Sequence, residues 1–183
     1  MINVTKFRRR QTIISILIFI TVFLVFWNTT KFKLEDIQLS YWGIENFGWV
    51  WNLSIVILSI STFINVYFYI DRHPRIGFKN FLIGFFLFTS ISLFITGIIT
   101  MNYNIHTITA YLYFFSYPLA IFTLSHLNRK NIIYKEWLIH LIISITMIII
   151  PLILFKYFVG AAIAESVHSL LVMIWNIWLL FDD

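Results

Sequence analysis

The stretch GAAIAESVHSLLVMIWNIWLLF, residues 160–181, decides how this chain is read. As a helix rising about 1.5 Å per residue it is long enough to cross a hydrocarbon core of about 30 Å. Yet Glu165 and His168 stand three residues apart inside the apolar run. An ionisable side chain at membrane depth costs several kcal/mol unless it faces a partner or a wet cavity, so the pair marks a candidate site. His168 and Asn176 fall three and eleven residues beyond Glu165, with Val172 between them, on one helical stripe that Ser169 adjoins.

Composition extends the membrane reading to the whole chain. Of 183 residues 60% are hydrophobic and only 11% charged, with mean hydropathy +0.87; a soluble domain carries about 25% charged residues. Twenty Phe against 6 Gly predict helix contacts built on bulky aromatic rings more than on close approach at small residues. The absence of Cys excludes disulfides, thiolate metal sites, iron–sulfur clusters and thiol redox chemistry. The net charge of +5 resides in short loops between apolar runs, which fits membrane orientation and not nucleic-acid binding.

Six spans are expected, at about 12–30, 47–69, 81–101, 106–126, 137–155 and 160–181. Arg8, Arg9 and Arg10 precede the first run as they would in a signal peptide, but Phe26, Trp27 and Asn28 stand where small cleavage-site residues belong. The run is therefore read as a retained helix. With the N-terminus inside, Lys6, Arg8, Arg9, Arg10, Arg72, Arg75, Lys79, Arg129, Lys130 and Lys135 lie on the cytoplasmic side. That is 10 of the 13 basic residues, and only Lys31, Lys33 and Lys156 remain outside. The fold class is thus an all-α, six-helix transmembrane bundle, one domain over 1–183, both termini cytoplasmic, in the cell's inner or plasma membrane. No motif repeats between the halves, so an inverted-repeat transporter is not supported.

Finer expectations follow from spacing. Thr89, Ser92, Thr96 and Thr100 form one hydroxyl face, able to bond backward to helix carbonyls. Pro118 should kink the fourth helix. Glu136 and His140 are expected to pair one turn apart, with His73 and His126 solvated in basic loops.

Asn52, His106, Glu165 and His168 all fall in the outer third of their spans, with Glu35, Asp36 and Glu45 on the loop above. If the second, fourth and sixth helices adjoin, these groups converge on a cavity open to the outside. Tyr113 shares a face with His106, and Asn176 continues the Glu165 stripe, so the candidate ligand-binding set is Asn52, His106, Tyr113, Glu165, His168 and Asn176. In the leading reading the protein binds or translocates a membrane lipid or small polar ligand, with no cofactor and no nucleic acid. A second reading is a metal-dependent intramembrane hydrolase using His106, Glu165 and His168, with Asp36 as a loop-borne base. In a third, Glu165, His168 and His106 merely satisfy one another. His106 is expected within hydrogen-bond reach of Glu165 or His168. No G-x-S-x-G or H-E-x-x-H occurs. A bis-histidine haem on His106 and His168 has nothing else in its favour. A vitamin-binding transporter subunit is disfavoured because residues 12–30 contain no Ala or Gly for docking a partner.

The run Leu39-Ser40-Tyr41-Trp42-Gly43, then Gly48-Trp49-Val50-Trp51-Asn52, resembles the start of the second helix in the domain-of-unknown-function 998 membrane proteins. Gly97, His106, Ala110, Glu165 and Trp175 fit the same pattern, from about Ser40 to the end. Ser166 stands where that family often has Arg after the Glu. A looser similarity runs to six-helix proteins of the Frag/DRAM/Sfk type. The resemblance implies a six-helix bacterial or archaeal inner-membrane protein and brings no activity or cofactor.

Overall fold

In hydrocarbon every peptide N–H and C=O must be satisfied within the protein, so each apolar run becomes a helix. A computed structural model describes residues 4–29, 38–158 and 160–181. The helices are α1 (Val4–Thr29), α2 (Gly48–Arg72), α3 (Lys79–Ile98), α4 (Asn104–Asn128), α5 (Tyr134–Tyr157) and α6 (Ala162–Leu179), with a short 3-10 helix at Leu39–Ile44 before α2. All six long helices are long and apolar enough to cross a membrane, and no strand occurs among the described residues. The chain is a multi-pass membrane protein of the expected all-α class.

The boundaries moved. α1 begins at Val4, α3 stops at Ile98, leaving Thr100 in the turn, and α6 starts at Ala162. Apolar boundaries mark the edge of hydrocarbon, whereas helical hydrogen bonding runs on into the polar interface or stops short of it. α4 stays helical through Pro118, which withholds the N–H that would bond the Phe114 carbonyl.

Consecutive helices pack as neighbours, and α6 returns against α2 and α1 to close the bundle. Buried Arg8 donates through Nη2 to the Leu179 carbonyl at 2.9 Å, so the first and last helices meet at one face. There the guanidinium also meets the negative end of the α6 dipole. This face, called the termini face below, carries the start of α1 and the end of α6; the opposite one is the loop face.

Aromatic rings fill the core, as the Phe count predicts. Trp175 is fully buried, stacked on Phe86 at 5.6 Å and edge-on to Tyr117 at 5.8 Å. Its indole N–H donates to His140 Nδ1 at 3.0 Å, which places the imidazole proton on Nε2, 3.2 Å from the Tyr69 hydroxyl. His140 therefore pairs with Trp175 and Tyr69, not with Glu136 as expected. Glu136 instead lies 3.5 Å from His73, and both side chains are only 11% exposed, so His73 is not solvated. The expectation rested on one-turn spacing, but α6 and the end of α2 bring other partners to these residues. His126 is exposed, as expected, and stacks on Phe122.

Hydroxyls on α3 bond backward: Thr89 to Phe86, Ser92 to Phe88 and Thr96 to Ser92. Thr96 also reaches Thr109 of α4 at 3.0 Å. Gly97 is the exception to aromatic packing, since a Cβ there would meet Val56 at 2.9 Å and the Asn52 carbonyl at 3.1 Å.

Trp175→Phe should keep the ring stack but orphan His140 Nδ1, costing about 1–3 kcal/mol, whereas Trp175→Ala should cost about 3–5 kcal/mol. Thermal unfolding in detergent checks this order. Reporter fusions after Lys79 and Arg129 should label one side of the membrane and those after Met101 and Lys156 the other.

Candidate functional site

At the loop face the 3-10 helix is fixed over the bundle by two glycines. A Cβ on Gly48 would sit 2.4 Å from the Gly43 carbonyl oxygen, and one on Gly43 would sit 2.3 Å from Asn52 Oδ1. The chain folds back there through Phe47, at φ 64°, a left-handed conformation that costs a non-glycine residue about 1–2 kcal/mol. Asn52 Nδ2 donates to the Gly43 carbonyl at 3.3 Å. Trp42 is driven fully into a nest of rings, 4.9 Å from Trp51, 5.3 Å from Phe23 and 5.8 Å from Phe26. From the other side, Glu165 Oε2 accepts the Leu39 amide at 2.7 Å. The carboxylate thus holds the start of the 3-10 helix onto the first turn of α6.

Beneath this cap lies a cavity of about 90 Å³ bounded by the 3-10 helix, α2, α3, α4 and α6. A single water needs roughly 10–15 Å³ on this measure, so several waters or a small headgroup fit. Asn52, His106, Tyr113 and Glu165 line it, together with Thr96 and Ser169. The second, fourth and sixth helices do enclose one polar space. Four of the nominated residues share it.

The other two lie elsewhere. His168 is 1% exposed, edge-on between Tyr113 and Phe114 with ring centroids 5.6 and 4.7 Å away. Its Nδ1 is 3.4 Å from the Met147 carbonyl, and its Nε2 has no hydrogen-bond partner. It lines a neighbouring groove, not the cavity itself. Asn176 sits deeper, donating to the Tyr117 hydroxyl and the Val172 carbonyl while its own carbonyl and Oδ1 take both contacts from Asn65 Nδ2. It belongs to the packed core between α2, α4 and α6.

His106 makes no direct hydrogen bond to Glu165 or His168. Its Nδ1 lies 2.5 Å from the carbonyl of Ile99, the residue that ends α3. An orphan carbonyl at a helix end is a nearer acceptor than a side chain across the cavity. Glu165 is also shallower than expected, because α6 starts at Ala162 and places it in the first turn. Among the described residues no three His, Asp or Glu come together to hold a metal ion, so His106, Glu165 and His168 do not converge as the hydrolase reading requires. Asp36 and Glu35 lie outside the described residues.

Sequence reasoning missed the Leu39 amide and the Gly43–Gly48–Asn52 lock. Two glycines within six residues of a chain with only 6 were the available signal. No protein-family model matches the chain, and no curated protein or solved structure is significantly similar to it.

The lack of native Cys makes one added thiol a clean reporter. Ser40→Cys should react slowly with a membrane-impermeant maleimide. Adding Glu165→Ala, which removes the acceptor of the Leu39 amide, should speed labelling at least about fivefold, the equivalent of about 1 kcal/mol. Equal rates would refute the clamp.

Proposed function

We propose that the protein binds a small polar ligand or lipid headgroup in the loop-face cavity, as a binding or translocating module of the membrane. The observation that supports this most is the meeting of Asn52, His106, Tyr113 and Glu165, from three separate helices, around one space beneath a fixed cap. Polar groups that only needed satisfying could have packed against each other, as Asn65, Asn176 and Tyr117 do lower in the bundle. A largely apolar hollow with a few convergent polar groups is instead what a ligand site offers. The 10-to-3 division of basic residues favours cytoplasmic termini and a cavity facing outward in the inner or plasma membrane.

Ala110 lines the cavity from α4. Ala110→Phe should fill it without disturbing the caps of Glu165 or His106. In native mass spectrometry from mild detergent, the wild type should carry a stoichiometric non-covalent adduct, and the variant at least tenfold less. Its melting temperature should stay within a few degrees. An adduct unchanged by Ala110→Phe, or none in wild type reconstituted with its native lipids, would overturn the reading.

A further inference from the structure

The cavity is not closed sideways. A narrow apolar groove of about 40 Å³ runs between α4 and α5 onto α6, and it shares Tyr111, Phe114, Phe155 and Glu165 with the cavity. Its outer wall includes Tyr111, Phe115, Leu152 and Phe155, all exposed on the bundle's flank, where the bilayer lies. His168 stands at its base with Nε2 buried and unpartnered. The groove therefore adjoins the cavity through these four shared side chains, on the bundle's flank.

The polar groups along cavity and groove have fixed orientations. Asn52 spends an amide N–H on the Gly43 carbonyl and lays its Oδ1 against Gly43, so it is held by the cap. His106 and His168 both lie with Nδ1 against a carbonyl, so each Nδ1 carries the proton and each Nε2 offers a lone pair. Glu165 gives Oε2 to Leu39 and keeps Oε1. Three acceptors are left over, one of them a carboxylate oxygen, and among the described residues no Lys or Arg lines cavity or groove. Aromatic faces of Tyr111, Tyr113 and Phe114 surround them, suited to a cation. The buried, unpartnered Trp51 indole N–H and the hydroxyls of Thr107, Tyr111 and Ser169 are neutral donors on the same lining, suited to a ligand oxygen.

We infer that the ligand is a membrane amphiphile with a primary-ammonium headgroup, seated with the ammonium between Glu165 and His106 and its chain leaving through the α4–α5 groove. This rests on the cavity being a ligand site and adds which chemistry it takes and by which route. The ammonium supplies three N–H donors to the leftover acceptors and the charge that Glu165 lacks. An anionic headgroup would meet the Glu165 carboxylate and no cation. A soluble polar solute would leave the groove and His168 unused.

The test uses the full chain in nanodiscs containing equal amounts of phosphatidylethanolamine, phosphatidylcholine and phosphatidylglycerol, followed by native mass spectrometry of retained lipid. Wild type should retain the ethanolamine lipid at least tenfold over the glycerol lipid. Glu165→Gln, which still accepts the Leu39 amide but carries no charge, should abolish that preference with its melting temperature kept. Leu152→Trp, blocking the groove, should cut lipid retention while soluble ethanolamine still shifts the melting temperature. If phosphatidylglycerol is retained as well as phosphatidylethanolamine, and Ala110→Phe removes both, cavity binding stands and the ammonium inference falls. Preference for the trimethylated choline headgroup over ethanolamine likewise overturns it. Retention of no lipid, with ethanolamine alone shifting the melting temperature, overturns the amphiphile and keeps the cavity. No response from any arm overturns both.

Discussion

Trp175 and Asn176 are adjacent on α6, and between them they bind the sixth helix to the rest of the bundle. The Trp175 indole donates to His140 of α5 and its ring stacks on Phe86 of α3, while Asn176 joins Asn65 of α2 to Tyr117 of α4. Hydrogen bonds between membrane helices average only about 0.6 kcal/mol. Leaving one partner unsatisfied in the core costs about 1–3 kcal/mol. The penalty, more than the gain, selects the register: rotating α6 by one residue would orphan several groups at once. Everything toward the loop face is positioned by that register, including where Glu165 and His168 point.

The two ends of α6 then differ for a local reason. Toward the termini face large rings, Trp175 and Trp178 with His140, fill the space, and Arg8 closes the helix end. Toward the loop face α6 opens with the small residues Ala161, Ala162 and Ala164, of which Ala161 lines the cavity. The volume they leave is not recovered by collapse, because the 3-10 helix above is held off by Trp42 in its aromatic nest and by the backbone contact of Gly43 with Gly48. Small residues below a rigid cap leave a hollow, and polar side chains reach it from α2, α3 and α4.

The sequence made the six helices legible because length and hydropathy are local properties. The convergence of Asn52, His106, Tyr113 and Glu165 was legible too, since alternating helix directions alone place them at one end. What escaped depended on particular neighbours. His106 turned to Ile99 because α3 ends there, a boundary that apolarity misplaces by a few residues. Asn176 shares a stripe with Glu165 but lies eleven residues, about 16 Å of helix, further along, so direction alone could not assign both to one site. Glu136 chose His73 across helices over His140 one turn away, which no spacing rule anticipates. The Leu39 amide has no side-chain signature at all.

Glu165 finally joins closure to recognition. One of its oxygens holds the Leu39 amide, and the positive end of the α6 dipole lies beneath it in the first turn. These are two partial charges, neither a full cation, so the carboxyl group is anchored without a full counter-charge. A ligand that approaches the remaining oxygen meets a group whose geometry is already fixed by the cap. Its binding in turn draws electron density from the same carboxylate that holds the 3-10 helix down. Cap and any ligand at that oxygen would therefore share one charge, and the hold on each would depend on the other. A neutral side chain at this position could fasten the cap equally well, but it would have nothing further to offer the cavity.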